Sequence, residues 1–137
     1  GNLHSNCITP RIYNVFGDGQ AIGSGAVVPL WISTVMKNEP IIVRDAVRDF
    51  TYVGDVVNEL MRLMFDTKET GLTHIGYGEP LSLDELAFSM FASNVTVVRQ
   101  KLADYEIYYS SCPIKMKHVT YGREEGIKRT LKWWGYN

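Results

Sequence analysis

The sequence predicts an α/β fold: a small mixed sheet with about four helices. Two observations predict it. Short runs of β-branched and aromatic residues alternate with longer stretches whose apolar residues recur at helical spacing. No internal repeat, low-complexity tract or long linker divides the 137 residues, so residues 1–137 are expected to form a single domain.

Cys7 to Phe16 is rich in β-branched and aromatic side chains and stops at Gly17-Asp18-Gly19, which predicts a strand and a turn. After a looser Gly23-Ser24-Gly25, residues 26–38 are helical in character, with Pro29 tolerable only near the first turn. Pro40 to Val43 and Arg48 to Val53 read as strands, and Arg44 to Val47 between them suits a tight hairpin loop. Val56, Leu60, Leu63 and Met64 then recur at helical spacing, with Asp55 placed to cap that helix. Leu72 to Tyr77 is a further strand. Ser82-Leu83-Asp84-Glu85 has the Ser-x-x-Glu form of a capping box opening a helix through Phe91. Val95 to Val98 and Glu106 to Tyr109 are β-like. Gly122 opens a last helix to about Trp133, acidic first and basic later as the helix dipole favours, with Trp133 and Trp134 as packing residues.

Composition excludes several classes. Net charge is -1, from 14 Lys+Arg against 15 Asp+Glu, which argues against bulk electrostatic binding of nucleic acid. Cys7 and Cys112 are too few for a disulfide scaffold and lack metal-site spacing, and a reducing cytoplasm is the simplest reading. His4, His74 and His118 are scattered without a Cys or acidic partner set, so no metal site is expected. The longest apolar stretch, near Ala26 to Val35, is too short for a bilayer and contains Pro29; no membrane association and no leader peptide are expected.

Four stretches, in order, carry a resemblance. Arg11-Ile12-Tyr13-Asn14-Val15-Phe16-Gly17-Asp18-Gly19-Gln20 is similar to R-x-x-N-V-Y-G-P-G-Q. Arg48-Asp49-Phe50-Thr51-Tyr52-Val53-Gly54-Asp55-Val56 is similar to R-D-F-x-Y-V-x-D-V. Ile75-Gly76-Tyr77-Gly78-Glu79 resembles N-I-G-x-G-E, and Glu124 to Trp133 resembles the closing E-E-G-l-x-x-T-l-x-W. Together they resemble the extended short-chain dehydrogenase/reductase family, which includes the NAD-dependent nucleotide-sugar epimerases and dehydratases. The family's Gly-rich dinucleotide turn and its catalytic Tyr-x-x-x-Lys are absent from this sequence. The resemblance therefore implies the carboxy-terminal, substrate-binding part of such an enzyme without its Rossmann half. Such a part is not catalytic alone and binds no cofactor alone, although the family uses NAD.

The resemblance also implies the contacts to a nucleotide diphosphate sugar. Asn14 and Arg48 would meet the pyrophosphate, for which a planar, permanently charged guanidinium is suited. Arg99-Gln100-Lys101-Leu102-Ala103-Asp104 resembles R-R-x-G-D, with Arg99 on phosphate and Asp104 near the ribose, although an extra residue and Ala103 disturb its register. Each position has a plainer reading. Asn14 suits closing the turn after its strand. Arg48-Asp49 suits a solvated strand edge, Arg99 and Asp104 suit ordinary surface charge, and Asp55 suits a cap.

Three departures bear on function. Asp18 replaces a turn proline, the loop before Arg48 lacks G-D-G-x-Q and is shorter, and the segment from Ser111 to Tyr121 is shortened. In the family the strand around Arg11 to Phe16 is buried in a parallel sheet. Without neighbours its edge would invite pairing. A homo-oligomer is the first expectation for its cover, a separate NAD-binding partner the second, and a rearrangement within the chain the third. Three roles are therefore open: a nucleotide-sugar binding module, an interaction protein with a dead pocket, or half of a split epimerase.

Overall fold

The structure is a computed structural model that describes residues 6–66 and 68–137; His4 lies outside them. In chain order the elements are Ile8–Ile12 (β1), Val15–Phe16 (β2), Val27–Met36 (α1), Ile41–Arg44 (β3), Val47–Arg48 (β4) and Thr51–Tyr52 (β5). Then follow Val53–Phe65 (α2), Gly71–Ile75 (β6), Leu81–Ser82 (β7), Leu83–Phe91 (α3), Val97–Gln100 (β8) and Gly122–Trp133 (α4). The fold is α/β with four helices among the described residues.

The small sheet is realised as separate two-stranded ladders. β1 runs parallel to β6 from Ile8↔Gly71 to Ile12↔Ile75. β2 runs parallel to β5, β3 parallel to β8, and β4 antiparallel to β7. The predicted first strand is cut at Asn14, whose φ of 25° takes the backbone out of the extended region, a conformation Asn tolerates. The hairpin expected across Arg44 to Val47 does not form. Its two strands turn to distant partners instead: Ile41 and Val43 bury one face of β3, and Val47 bonds the segment 108–110. That segment forms no strand, only a bridge between Val47 and Tyr109.

The helices follow their sequence signals with one exchange of roles. α1 has Pro29 in its first turn, where a missing N–H costs nothing, and buries Val28, Trp31 and Ile32. It ends in a Schellman motif: Asn38, at φ 58°, donates its N–H to Val35 O, and Glu39 donates to Thr34 O. α3 opens with the predicted capping box, Ser82 Oγ accepting from Glu85 N–H and Glu85 accepting from Ser82 N–H. Asp55 does not cap its own helix. It lies in the first turn of α2 but accepts from the backbone of Thr120, Tyr121 and Gly122, so it caps α4.

The main core joins Phe16, Trp31, Ile32, Phe50 and Leu86 with their neighbours from the strands and helices around them. A smaller cluster of Val56, Leu63 and Ile75 seats α2 on the β1–β6 ladder, and partly buried Met116 packs against both clusters. Gly126 lets α4 approach Tyr52, since a Cβ there would stand 2.5 Å from the ring carbon Cγ. Trp134 is partly buried as expected, whereas Trp133 stays 55% exposed, stacked edge-on against it. No described helix is long and apolar enough to cross a membrane.

Candidate functional site

Beneath the site lies a buried polar frame. Asp49, expected at a solvated edge, is fully buried and accepts from the N–H groups of Gly78 (2.8 Å) and Cys112 (3.0 Å). Arg123 reaches it at 3.3 Å and also donates to the carbonyls of Phe50 and Glu79. Asp55, equally buried, accepts the Tyr77 hydroxyl as well as the α4 amides. Burial alone would push its carboxyl up. The hydrogen bonds from Tyr77, Tyr121, Gly122 and Thr120 outweigh that and hold it below the ordinary aspartate range. Burial, then the neighbouring Asp55, raises the Tyr77 phenol. The frame fixes the path of the chain from Arg48 into α2.

On this frame sits a cavity of about 400 Å³. The break at Asn14, the Gly17–Gln20 turn and the start of α1 form one wall. Arg44 and Arg48 join the lining from β3 and β4, and Glu106 and Ile107 from the segment bonded to them. Phe16, Phe50, Leu83 and Leu102 supply the apolar lining. Such a mixture, a mostly apolar concavity with a few convergent polar groups, is what small-molecule sites present.

The predicted residues separate here. Asn14 and Arg48 line the cavity; Arg99 and Asp104 do not. Arg99 pairs with Asp84 at 2.9 Å on the exposed side of β8 and α3, and Asp104 is an exposed turn residue. Asn14 serves the backbone too, its carbonyl accepting from Thr51 N–H. Arg48 is engaged: Nη1 donates to Val47 O and Tyr108 O, and Nη2 to Ile107 O at 2.5 Å.

Three lining residues escaped the sequence reading. Gln20 holds Val15 O through Nε2, and its buried Oε1 has no partner among the described residues. Arg44 and Glu106, both in the lining, form an ion pair at 2.6 Å. A signal for Arg44 was present. Val43-Arg44-Asp45 repeats as Val47-Arg48-Asp49, and the alternation of β3 turns Arg44 away from the core.

The NAD dependent epimerase/dehydratase family model matches residues 2–76, more than half of the 137. The chain belongs to that family. UDP-glucuronic acid decarboxylase 5 of Arabidopsis thaliana is 36% identical over 80 residues, 56% of this chain and 23% of that protein. The dTDP-4-dehydro-6-deoxyglucose reductase of Escherichia coli is 30% identical over 88 residues, 61% of this chain and 28% of that protein. Among solved structures, TunA, an NAD dependent-NDP-hexosamine 5,6-dehydratase involved in tunicamycin biosynthesis, superposes with a TM-score of 0.77 at 28% identity. That match covers 92% of this chain and 45% of the TunA chain. The family member described here thus spans about a quarter of these curated relatives and less than half of that structure.

The described residues contain no dinucleotide cradle. Cradling a dinucleotide needs a strand leading through glycines straight into a helix, with backbone open to the pyrophosphate. After β2 the chain loops from 17 to 26 before α1 begins. At the abrupt β5–α2 junction the glycine is Gly54, and the space beside it is filled by the rings of Tyr121 and Tyr52.

Proposed function

We propose that this chain binds a nucleoside-diphosphate sugar in the cavity of Asn14, Arg44 and Arg48, as the substrate-side unit of an NAD-dependent epimerase/dehydratase. NAD and the catalytic Tyr-x-x-x-Lys would be supplied by residues outside this sequence, so residues 1–137 act as one binding unit and not as an enzyme by themselves. The observation that carries this reading is the convergence of two arginines, an asparagine and an unpartnered glutamine oxygen on one apolar concavity. A diphosphate needs cationic forks, a ribose needs hydrogen-bond partners, and a base needs an apolar wall; the cavity has all three. Sugar nucleotides named in the relatives, UDP- and dTDP-linked, are the class to test.

The test is a thermal-shift panel of UDP-glucose, dTDP-glucose, GDP-mannose and NAD against the chain. A ligand at a hundred times its Kd stabilises by roughly 2.7 kcal/mol, a rise on the order of 10 °C for a domain this size. A rise with one sugar nucleotide and none with NAD is expected. A flat response to every sugar nucleotide refutes the reading.

A second reading rests on a separate observation. α2 exposes Met61, Met64 and Phe65, beside exposed Leu72 of β6, and no third strand joins the β1–β6 ladder among the described residues. In this reading the face is an interface, covered by a second copy or by an NAD-binding polypeptide. Sedimentation of the chain as a monomer, alone and mixed with a separately made NAD-binding half, would rule out both partners.

A further inference from the structure

We propose that Arg44 is the principal diphosphate-binding cation of the cavity, and that Glu106 is an internal anion which the diphosphate displaces. This rests on the nucleoside-diphosphate reading above and assigns the anion subsite within it.

The two arginines differ in what they have left to offer. A guanidinium carries five N–H donors in a fixed fork. Arg48 spends three of them on the carbonyls of Val47, Ile107 and Tyr108, and those bonds hold the 107–108 segment against β4. Turning that fork toward a ligand would leave the carbonyls without donors and loosen the segment that walls the cavity. Arg48 is therefore first a positioning residue, with two donors left for a ligand against four on Arg44 among the described residues. Among the described residues the Arg44 side chain makes one hydrogen bond, from Nη1 to Glu106 Oε1, and it is 47% exposed. Its other side-chain donors have no hydrogen-bond partner among the described residues.

Glu106 is the anion that pairs with this cation. Its Oε1 takes Arg44, while Oε2 accepts from Ala103 N–H at 3.0 Å, so the carboxylate is held by both oxygens. A carboxylate presents to a guanidinium the same pair of oxygens that a phosphate does. The diphosphate carries more charge than the carboxylate it replaces, so exchange favours the ligand, and the displaced Glu106 keeps its bond to Ala103. The pairing sets a threshold: only an anion stronger than a single carboxylate opens it, which selects diphosphates over neutral sugars and monocarboxylates.

The test is calorimetric titration of UDP, dTDP and GDP into the wild-type chain, Arg44→Gln and Glu106→Gln, with circular dichroism melts of each. Glutamine at 106 retains an oxygen for Ala103 N–H, and Arg44 lies half in solvent, so both variants are expected to fold. Arg44→Gln should weaken the best diphosphate about tenfold or more, and Glu106→Gln should tighten it several-fold. Wild-type binding that Arg44→Gln leaves unchanged overturns the assignment but leaves the cavity reading intact. Weaker binding by Glu106→Gln also overturns it, because Glu106 would then orient Arg44 instead of competing for it. Failure of all three nucleotides to bind either wild type or Glu106→Gln defeats both readings together.

Discussion

Replacing Asp55 by asparagine tests whether one carboxylate joins α2 to α4. In the native chain it accepts from the N–H groups of Thr120 (2.8 Å), Tyr121 (2.9 Å) and Gly122 (2.9 Å) and from the Tyr77 hydroxyl. An amide of the same shape keeps one oxygen with two lone pairs, so about two of these bonds are lost and a donor is turned toward donors. Hydrogen bonds to a charged group contribute about 1.5–3 kcal/mol each. Thr120 is exposed and its N–H regains water, which lowers the loss. A net destabilisation of about 3 kcal/mol follows, a Tm drop on the order of 10 °C. Urea unfolding at pH 7 reads it directly. The pH profile gives an independent check. Because the folded carboxyl is depressed, its contribution is complete above the ordinary aspartate pKa of about 3.9 and is lost as pH falls through the lower folded value. The Asp55→Asn stability deficit should therefore shrink on acidification in that range. A variant within about 0.5 kcal/mol of wild type at pH 7 would refute the role given to this residue.

Two further outcomes follow from the packing and the site. Gly126→Ala gains about 1 kcal/mol of helix propensity but puts a methyl 2.5 Å from Tyr52 Cγ in a packed core, so a net loss of about 1–2 kcal/mol is expected in urea unfolding. A gain in stability would show that Tyr52 yields. Arg99→Ala removes an exposed pair with Asp84, with side chains 72% and 50% exposed, so stability should change by less than about 1 kcal/mol and sugar-nucleotide affinity less than about twofold. A tenfold loss of affinity would return Arg99 to the site.

Much of this fold was legible because its signals are local. The Ser82 capping box, Pro29 at a helix start and the apolar spacing of α2 each act within a few residues, and each stands where the sequence places it. What was hidden depends on partners far along the chain. Arg44 to Val47 looks like a hairpin turn until β8 and β7 claim the flanking strands. Asp55 has the position of a self-cap, but the amides that need it lie 65 to 67 residues away. The site divides in the same manner. Asn14 and Arg48 belong to motifs whose spacing is visible, whereas Glu106 joins Arg44 across 62 residues and leaves no local trace. Arg99 and Asp104 carry motif-like letters but are not among the residues that line the cavity, and Arg99 pairs with Asp84 instead.

On the function proposed above, the cavity lined by Asn14, Arg44 and Arg48 holds a nucleoside-diphosphate sugar. The most direct test is a titration of the isotopically labelled chain with UDP-glucose and dTDP-glucose, followed through backbone amide resonances. Saturable shifts concentrated at residues 14–20, 26–28, 44–48 and 106–107 are expected. Shifts confined to the exposed face of α2 and β6, or none at saturating ligand, would contradict that function.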